Sequence, residues 1–156
     1  LLYFKIFKAV EDGYEYFISG LARGVDLWVA MIVLELKTRY PQVKLVGVKP
    51  NAGHGSNFSG EDKYMLNYIL SRADEVVCTS EEYCYSCYRI RNEYMVDRAS
   101  RLIAVLNNYA SGTGQTVKYA RKKGLETEII DTVEIEAIYK AYYNTNPDEF
   151  QQDFNT

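Results

Sequence analysis

Five short runs of consecutive apolar residues recur along the chain, and each is followed by a longer stretch with helical spacing. The runs are Tyr14–Ile18, Lys44–Val48, Glu75–Cys78, Leu102–Leu106 and Glu126–Ile130. A strand that is apolar on both faces cannot lie on a half-solvated antiparallel sheet. It belongs in a parallel sheet covered by helices on either side. The intervening segments supply those helices: Leu1–Val10, Val25–Lys37, Glu61–Ser71, Arg89–Ala99, Gln115–Lys123 and Val133–Tyr143. In Leu1–Val10 the apolar residues fall at 2, 3, 6, 7 and 10, a helical period. Asp12-Gly13, Pro41 and Gly124 punctuate the ends. No internal repeat or interdomain linker interrupts the alternation. The pattern predicts an α/β fold with one mostly parallel sheet, residues 1–143 forming a single domain and 144–156 a polar tail.

Composition narrows the function classes. The chain has 156 residues, 47% hydrophobic and 25% charged, with a formal net charge of −3 and a pI near 5.3. A protein that lives on nucleic-acid phosphates carries a basic face. No long Lys/Arg run is present, which disfavours nucleic acid as a partner. No apolar stretch reaches the roughly 20 residues of a membrane span, so no membrane partner is expected. Three cysteines, an odd number, suit a reducing compartment, and a cytoplasmic location is expected. The 15 tyrosines read as amphipathic residues at the core edge.

In parallel sheets ligands bind where strands give way to helices at their carboxyl ends. The three most unusual loops, 19–25, 49–60 and 107–114, all follow strands. In the first, Ser19-Gly20 and Gly24 would let backbone N–H groups approach a phosphate at a helix start. Arg23 would pair with the anion and Asp26 would accept from a ribose hydroxyl. Ordinary turn chemistry explains the same residues equally well, since neither a G-x-G-x-x-G nor a Walker A pattern is present. In the third loop, Gly112, Thr113 and Thr116 repeat the theme, with Thr113 or Thr116 as a plain helix cap in the alternative. Arg91, Tyr94 and Asp97 share one helical face by i, i+3 spacing. Cys84-Tyr85-Ser86-Cys87 has the spacing of a metal or redox knuckle. A structural zinc needs four ligands, and only Cys78 and the single histidine, His54, remain to complete it, so no metal is expected. His54 itself reads as a solvent-exposed loop residue.

The segments "FISGLARGVDLWVA", "YPQVKLVGVKP", "ADEVVCTSEEYCYSCYRIRNEYMVDRASRLIAVLN" and "GQTVKYARKKG" resemble the YpsA-like family of the SLOG superfamily. Relatives of that family include the DNA-processing protein DprA and the cytokinin-activating LOG enzymes. The resemblance runs from about Tyr16 to Ile130. It implies a Rossmann-like three-layer sandwich and a pocket for a nucleotide-derived, ADP-ribose-like ligand, in a bacterial protein. Carried over by position, the pocket would comprise Ser19, Gly20, Ala22, Gly24 and Asp26, then Arg91, Asn92 and Asp97, then Gly112, Thr113 and Thr116. Ser111-Gly112-Thr113 stands where the family usually has Gly-Gly-Thr. The glutamate of the LOG-type motif has no counterpart after Gly112, which argues against phosphoribohydrolase chemistry.

The expected function is that of a sensor or regulator binding a nucleotide-like small molecule, with no cofactor and with a second copy of the chain as a conceivable partner. Two rivals are an enzyme acting on a nucleotide or its sugar, with Asp26 or Asp97 as general base, and a DprA-like single-strand DNA binder. The resemblance also implies a first strand, ahead of the opening helix, at the centre of the sheet. The fold expected here therefore lacks its first strand and is truncated at the N-terminus. Tyr14–Ile18 should border the gap, with Glu75–Cys78 or Leu102–Leu106 opposite. The gap would be filled by a preceding segment, by rearrangement of Leu1–Val10, or by a second copy.

Overall fold

The computed structural model describes residues 1–137. In chain order the elements are α1 (Leu2–Glu11), β1 (Tyr16–Ser19), α2 (Val25–Arg39), β2 (Lys44–Lys49), α3 (Gly60–Arg72), β3 (Glu75–Cys78), α4 (Cys87–Asp97), β4 (Arg101–Leu106), α5 (Gly112–Lys122) and β5 (Glu126–Asp131). A helical segment begins at 132 and continues to the end of the described residues. The expected polar tail, and the end of the helix expected at 133–143, lie outside them. Each strand–helix alternation read from the sequence is present, giving a Rossmann-like α/β fold.

Every strand pairing among the described residues is parallel. Short right-handed crossovers through helices are the usual way to join such strands. The strands do not form one sheet, however. They make a three-stranded sheet in the order β1-β2-β3 and a separate two-stranded sheet, β4-β5. Among the described residues β1 has β2 on one side and no strand on the other, and β4 has only β5. Between these two open edges lies a cavity of about 420 Å³, lined by Phe17 and Ile18 of β1, Leu102 and Ile103 of β4, and Met95 and Val96 of α4. The gap expected beside Tyr14–Ile18 is thus there, with β4 opposite. β3 is on the far side of β2 and does not border it. Leu1–Val10 does not rearrange into a strand: α1 stays helical, because Ile6, Ala9 and Val10 are already buried as one helical stripe.

The main core lies against the larger sheet. Ile6 and Val10 of α1 meet Leu27, Val33 and Leu36 of α2, Leu45 of β2, and Leu66 and Ile69 of α3. Ion pairs join α1 and the residue that caps it to the smaller sheet: Lys5 Nζ to Glu128 at 2.8 Å and Arg101 Nη1 to Asp12 at 2.8 Å. Arg101 is only 11% exposed and also meets Glu126 at 3.0 Å. These contacts lie beside the N-terminal ends of β4 and β5, which leaves the C-terminal ends free to carry loops.

Candidate functional site

The loop after β1 folds around its own polar groups. Ser19, which is buried, donates its hydroxyl to the Asp26 carbonyl at 2.8 Å and accepts from the Leu21 N–H at 3.3 Å. The Asp26 carboxylate accepts from the Ala22 N–H at 3.1 Å. Leu21 has a left-handed backbone, φ 59°, and is wholly buried. Its side chain is accommodated because Gly47 sits opposite in β2, where a Cβ would come within 2.9 Å of Leu21. Gly24 caps α2 with φ 80° and no side-chain cap, so the helix opens with backbone N–H groups and a partial positive charge.

Arg91 reaches this loop from α4 and is 5% exposed. Its Nη1 donates to the Gly20 carbonyl and its Nε to Asn92 Oδ1 at 3.1 Å. A Cβ on Gly20 would lie 2.8 Å from Asp26 Oδ2 and 3.0 Å from the Arg91 guanidinium carbon. Only a glycine lets the carboxylate and the guanidinium flank the chain so closely. Burial pulls the Arg91 pKa below its ordinary value, with the Asp26 charge acting the other way. Among the described residues Arg91 forms no ion pair within 4.0 Å, whereas Arg23 and Arg101 both do.

The loop after β2 closes over the first. His54 Nε2 lies 2.8 Å from the Leu21 carbonyl, and its ring meets Phe58 edge-on. His54 is half-buried, not solvent-exposed as expected from the sequence, because this glycine-rich loop packs back onto residues 21–23. Burial lowers its pKa, so the neutral imidazole is favoured. Arg23 donates to the Asn57 carbonyl at 2.6 Å, stacks over Phe58 and faces Asp62 at 3.7 Å. It links the two loops.

The third loop is self-contained. Ser111, not Thr113 or Thr116, caps α5, accepting from the Gly114 N–H at 3.1 Å and donating to the Asn108 carbonyl at 2.6 Å. The Thr116 hydroxyl bonds to the Gly112 carbonyl at 3.0 Å, and Thr113 is exposed. Gly112 and Thr116 do face α4 across an open groove of about 590 Å³, together with Asn92, Tyr85 and Tyr88. Asp97, at the last turn of α4, does not itself line this groove, although its partner Tyr119 does. It accepts from Tyr119 at 2.8 Å and pairs with Lys123 at 3.4 Å, and the tyrosine hydrogen bond holds its pKa below the usual carboxylate range.

The structure therefore brings together Ser19, Gly20, Ala22, Gly24, Asp26, Arg91 and Asn92. It places Gly112 and Thr116 on the adjoining groove, uses Arg23 as a brace, and leaves Asp97 on the α4–α5 surface. Leu21, Gly47, His54 and Phe58 were missed as parts of the site. A glycine inside the apolar run KLVGVK was the one signal that something packs closely there. Among the described residues no group of three or more His, Cys, Asp and Glu is placed to hold a metal. Cys84 and Cys87 are joined by a disulfide.

The comparisons agree with this architecture. The sequence model described as the YspA SLOG family matches residues 1–139. The chain belongs to this family. A UPF0398 protein of Bacillus cereus strain B4264 is 30% identical over 126 residues, which is 79% of this chain and 68% of the relative. A UPF0398 protein of Bacillus thuringiensis strain Al Hakam is 29% identical over 126 residues, 80% of this chain and 68% of the relative. Among the described residues no helix of this family member is long and apolar enough to cross a membrane.

Proposed function

We propose that this SLOG domain binds an anionic, nucleotide-derived ligand and acts as a sensor or regulator. The observation that carries the reading is Arg91: a buried guanidinium with no ion pair within 4.0 Å among the described residues, beside the uncapped start of α2. Burying a cation costs several kcal/mol unless it is paired. Here the protein supplies a carbonyl, an amide oxygen and the nearby Asp26 charge, and a phosphate would add a direct ionic partner. Gly24 leaves the α2 N-terminus open to the same group. The groove between α4 and α5 is within the usual size range of small-molecule sites. Exposed Tyr85 and Tyr88 offer stacking surfaces for a base, and the Asn92 amide offers a hydrogen-bonding edge. An ADP-ribose-like molecule has both parts.

The arrangement favours binding over catalysis. The Asp26 carboxylate is engaged by the Ala22 N–H, and Asp97 is committed to Tyr119 and Lys123. Neither is poised as a general base. A thermal-shift panel of adenosine, AMP, ADP, ATP, NAD and ADP-ribose tests the proposal. A ligand at about 100 times its dissociation constant adds about 2.7 kcal/mol, a rise of roughly 5–10 °C for a domain of this size. A flat response across the panel overturns it.

A further inference from the structure

We propose that Cys84 and Cys87 form a thiol–disulfide exchange site whose reaction partner is a low-molecular-weight disulfide. The pair lies after a parallel strand, β3, and at the start of an eleven-residue helix, α4. Cys87 is the first residue of that helix and is completely buried. Its sulfur accepts the Cys84 N–H at 2.8 Å. Ser86, at the N-cap, makes no side-chain cap, so the helix start directs its backbone N–H groups and partial positive charge at this position. The Cys87 sulfur also lies 3.5 Å from the Glu82 carbonyl, so it is held in place on two sides.

Cys84 is the reachable member. It is only partly buried, and the residues on either side of it, Tyr83 and Tyr85, are 74% and 99% exposed. Its sulfur lies near the Ser80 and Ser86 hydroxyls, each at 4.0 Å. One accessible and one sheltered sulfur, three positions apart in the chain and already bonded to each other, divide the labour of exchange.

The chemistry balances without any further reagent. In the reduced protein the Cys84 thiolate attacks one sulfur of a disulfide RSSR. The S–S bond breaks, RS⁻ leaves and takes a proton from water, and a mixed disulfide remains on Cys84. The Cys87 thiolate then attacks the Cys84 sulfur, forming the intramolecular bond and expelling the second RS⁻. Two cysteine thiols lose two electrons and two protons in total, and RSSR becomes two RSH. The reverse sequence reduces the protein. Cys78 is exposed, and its sulfur contacts the Ser80 carbonyl at 3.1 Å, so it needs to be removed from the assay background.

The test uses the Cys78→Ser protein equilibrated in mixtures of reduced and oxidised glutathione, acid-quenched and alkylated, with intact mass as the readout. The expected result is interconversion of dithiol and disulfide as one two-thiol unit, with no lasting adduct. With Cys87→Ser added, a single glutathione adduct accumulates on Cys84. With Cys84→Ser added, Cys87 acquires it at least about tenfold more slowly, because a buried sulfur is inaccessible. Peptide mapping of partial alkylation in the reduced Cys78→Ser protein gives the same order without the second variants, Cys84 before Cys87. A pair that stays oxidised, or stays reduced, across the whole glutathione range overturns the proposal. Equal labelling rates at the two cysteines do so as well.

Discussion

Replacing Arg91 by methionine separates the two roles a buried guanidinium can have. If the side chain is there to hold the fold, its loss removes charge-assisted hydrogen bonds and leaves the Gly20 carbonyl without its donor. An unsatisfied buried acceptor costs about 1–3 kcal/mol. Against this, methionine fills much of the same volume and removes the desolvation cost of a buried cation that has no ion pair within 4.0 Å among the described residues, itself worth several kcal/mol. The two contributions oppose one another at similar size, so Arg91→Met should change stability by no more than about 1 kcal/mol. Arg91→Ala leaves the same orphaned carbonyl and adds a cavity, and should cost about 2–4 kcal/mol. Urea denaturation of the two variants and the parent measures these values. The same variants are then titrated with the nucleotide that gives the largest thermal shift in the parent. Arg91→Met should weaken binding by at least about tenfold, the equivalent of 1.4 kcal/mol. A methionine variant that loses 3 kcal/mol or more, yet binds as tightly as the parent, would refute the reasoning and make Arg91 a structural strut.

Three further outcomes are expected. Gly24→Ala should cost about 1–3 kcal/mol, because φ 80° strains any L side chain there even though nothing lies within 4 Å of the added Cβ; equal melting temperatures would show that the loop relaxes freely. Stability should fall in two steps as pH drops. His54 is held neutral by burial, so its contribution is present above its unfolded pKa of 6.5 and is lost as pH falls through the lower folded value. Asp12, lowered chiefly by its hydrogen bond from Arg101, and Asp74, where Lys37 and the Leu45 N–H outweigh burial, give the second step below about 3.8. His54→Gln should erase the first step alone in a pH series of urea melts. Leu45→Ala, at a fully buried position, should cost about 2–5 kcal/mol, and Phe17→Ala less, since Phe17 already borders a cavity.

Much of the architecture was legible because it is local. Apolar runs of four or five residues and helical spacing between them locate each strand and helix within a few residues, and Asp12-Gly13 and Gly124 end α1 and α5 where turn chemistry requires. The glycine and serine loops after the strands marked the end of the sheet where a site belongs, because parallel strands place all such loops on one side.

What a residue does inside that region depended on distance across the fold. Arg23 and Arg91 are both arginines near glycine loops, yet one stacks over Phe58 and meets Asn57, while the other is buried against Gly20, 71 positions away in the chain. Asp26 and Asp97 are both carboxylates on helices, and only the first lies beside the loop. His54 became half-buried because its loop folds back onto the Leu21 carbonyl. Whether the strands form one sheet or two was equally a matter of pairing. Apolar strands specify burial on both faces, but hydrogen-bonded neighbours are chosen only when the edges meet. Here β1 and β4 meet a cavity instead of each other. The sequence by itself determined the elements and the side of the sheet that carries the loops. Tertiary packing alone decided which charges are paired and which are buried.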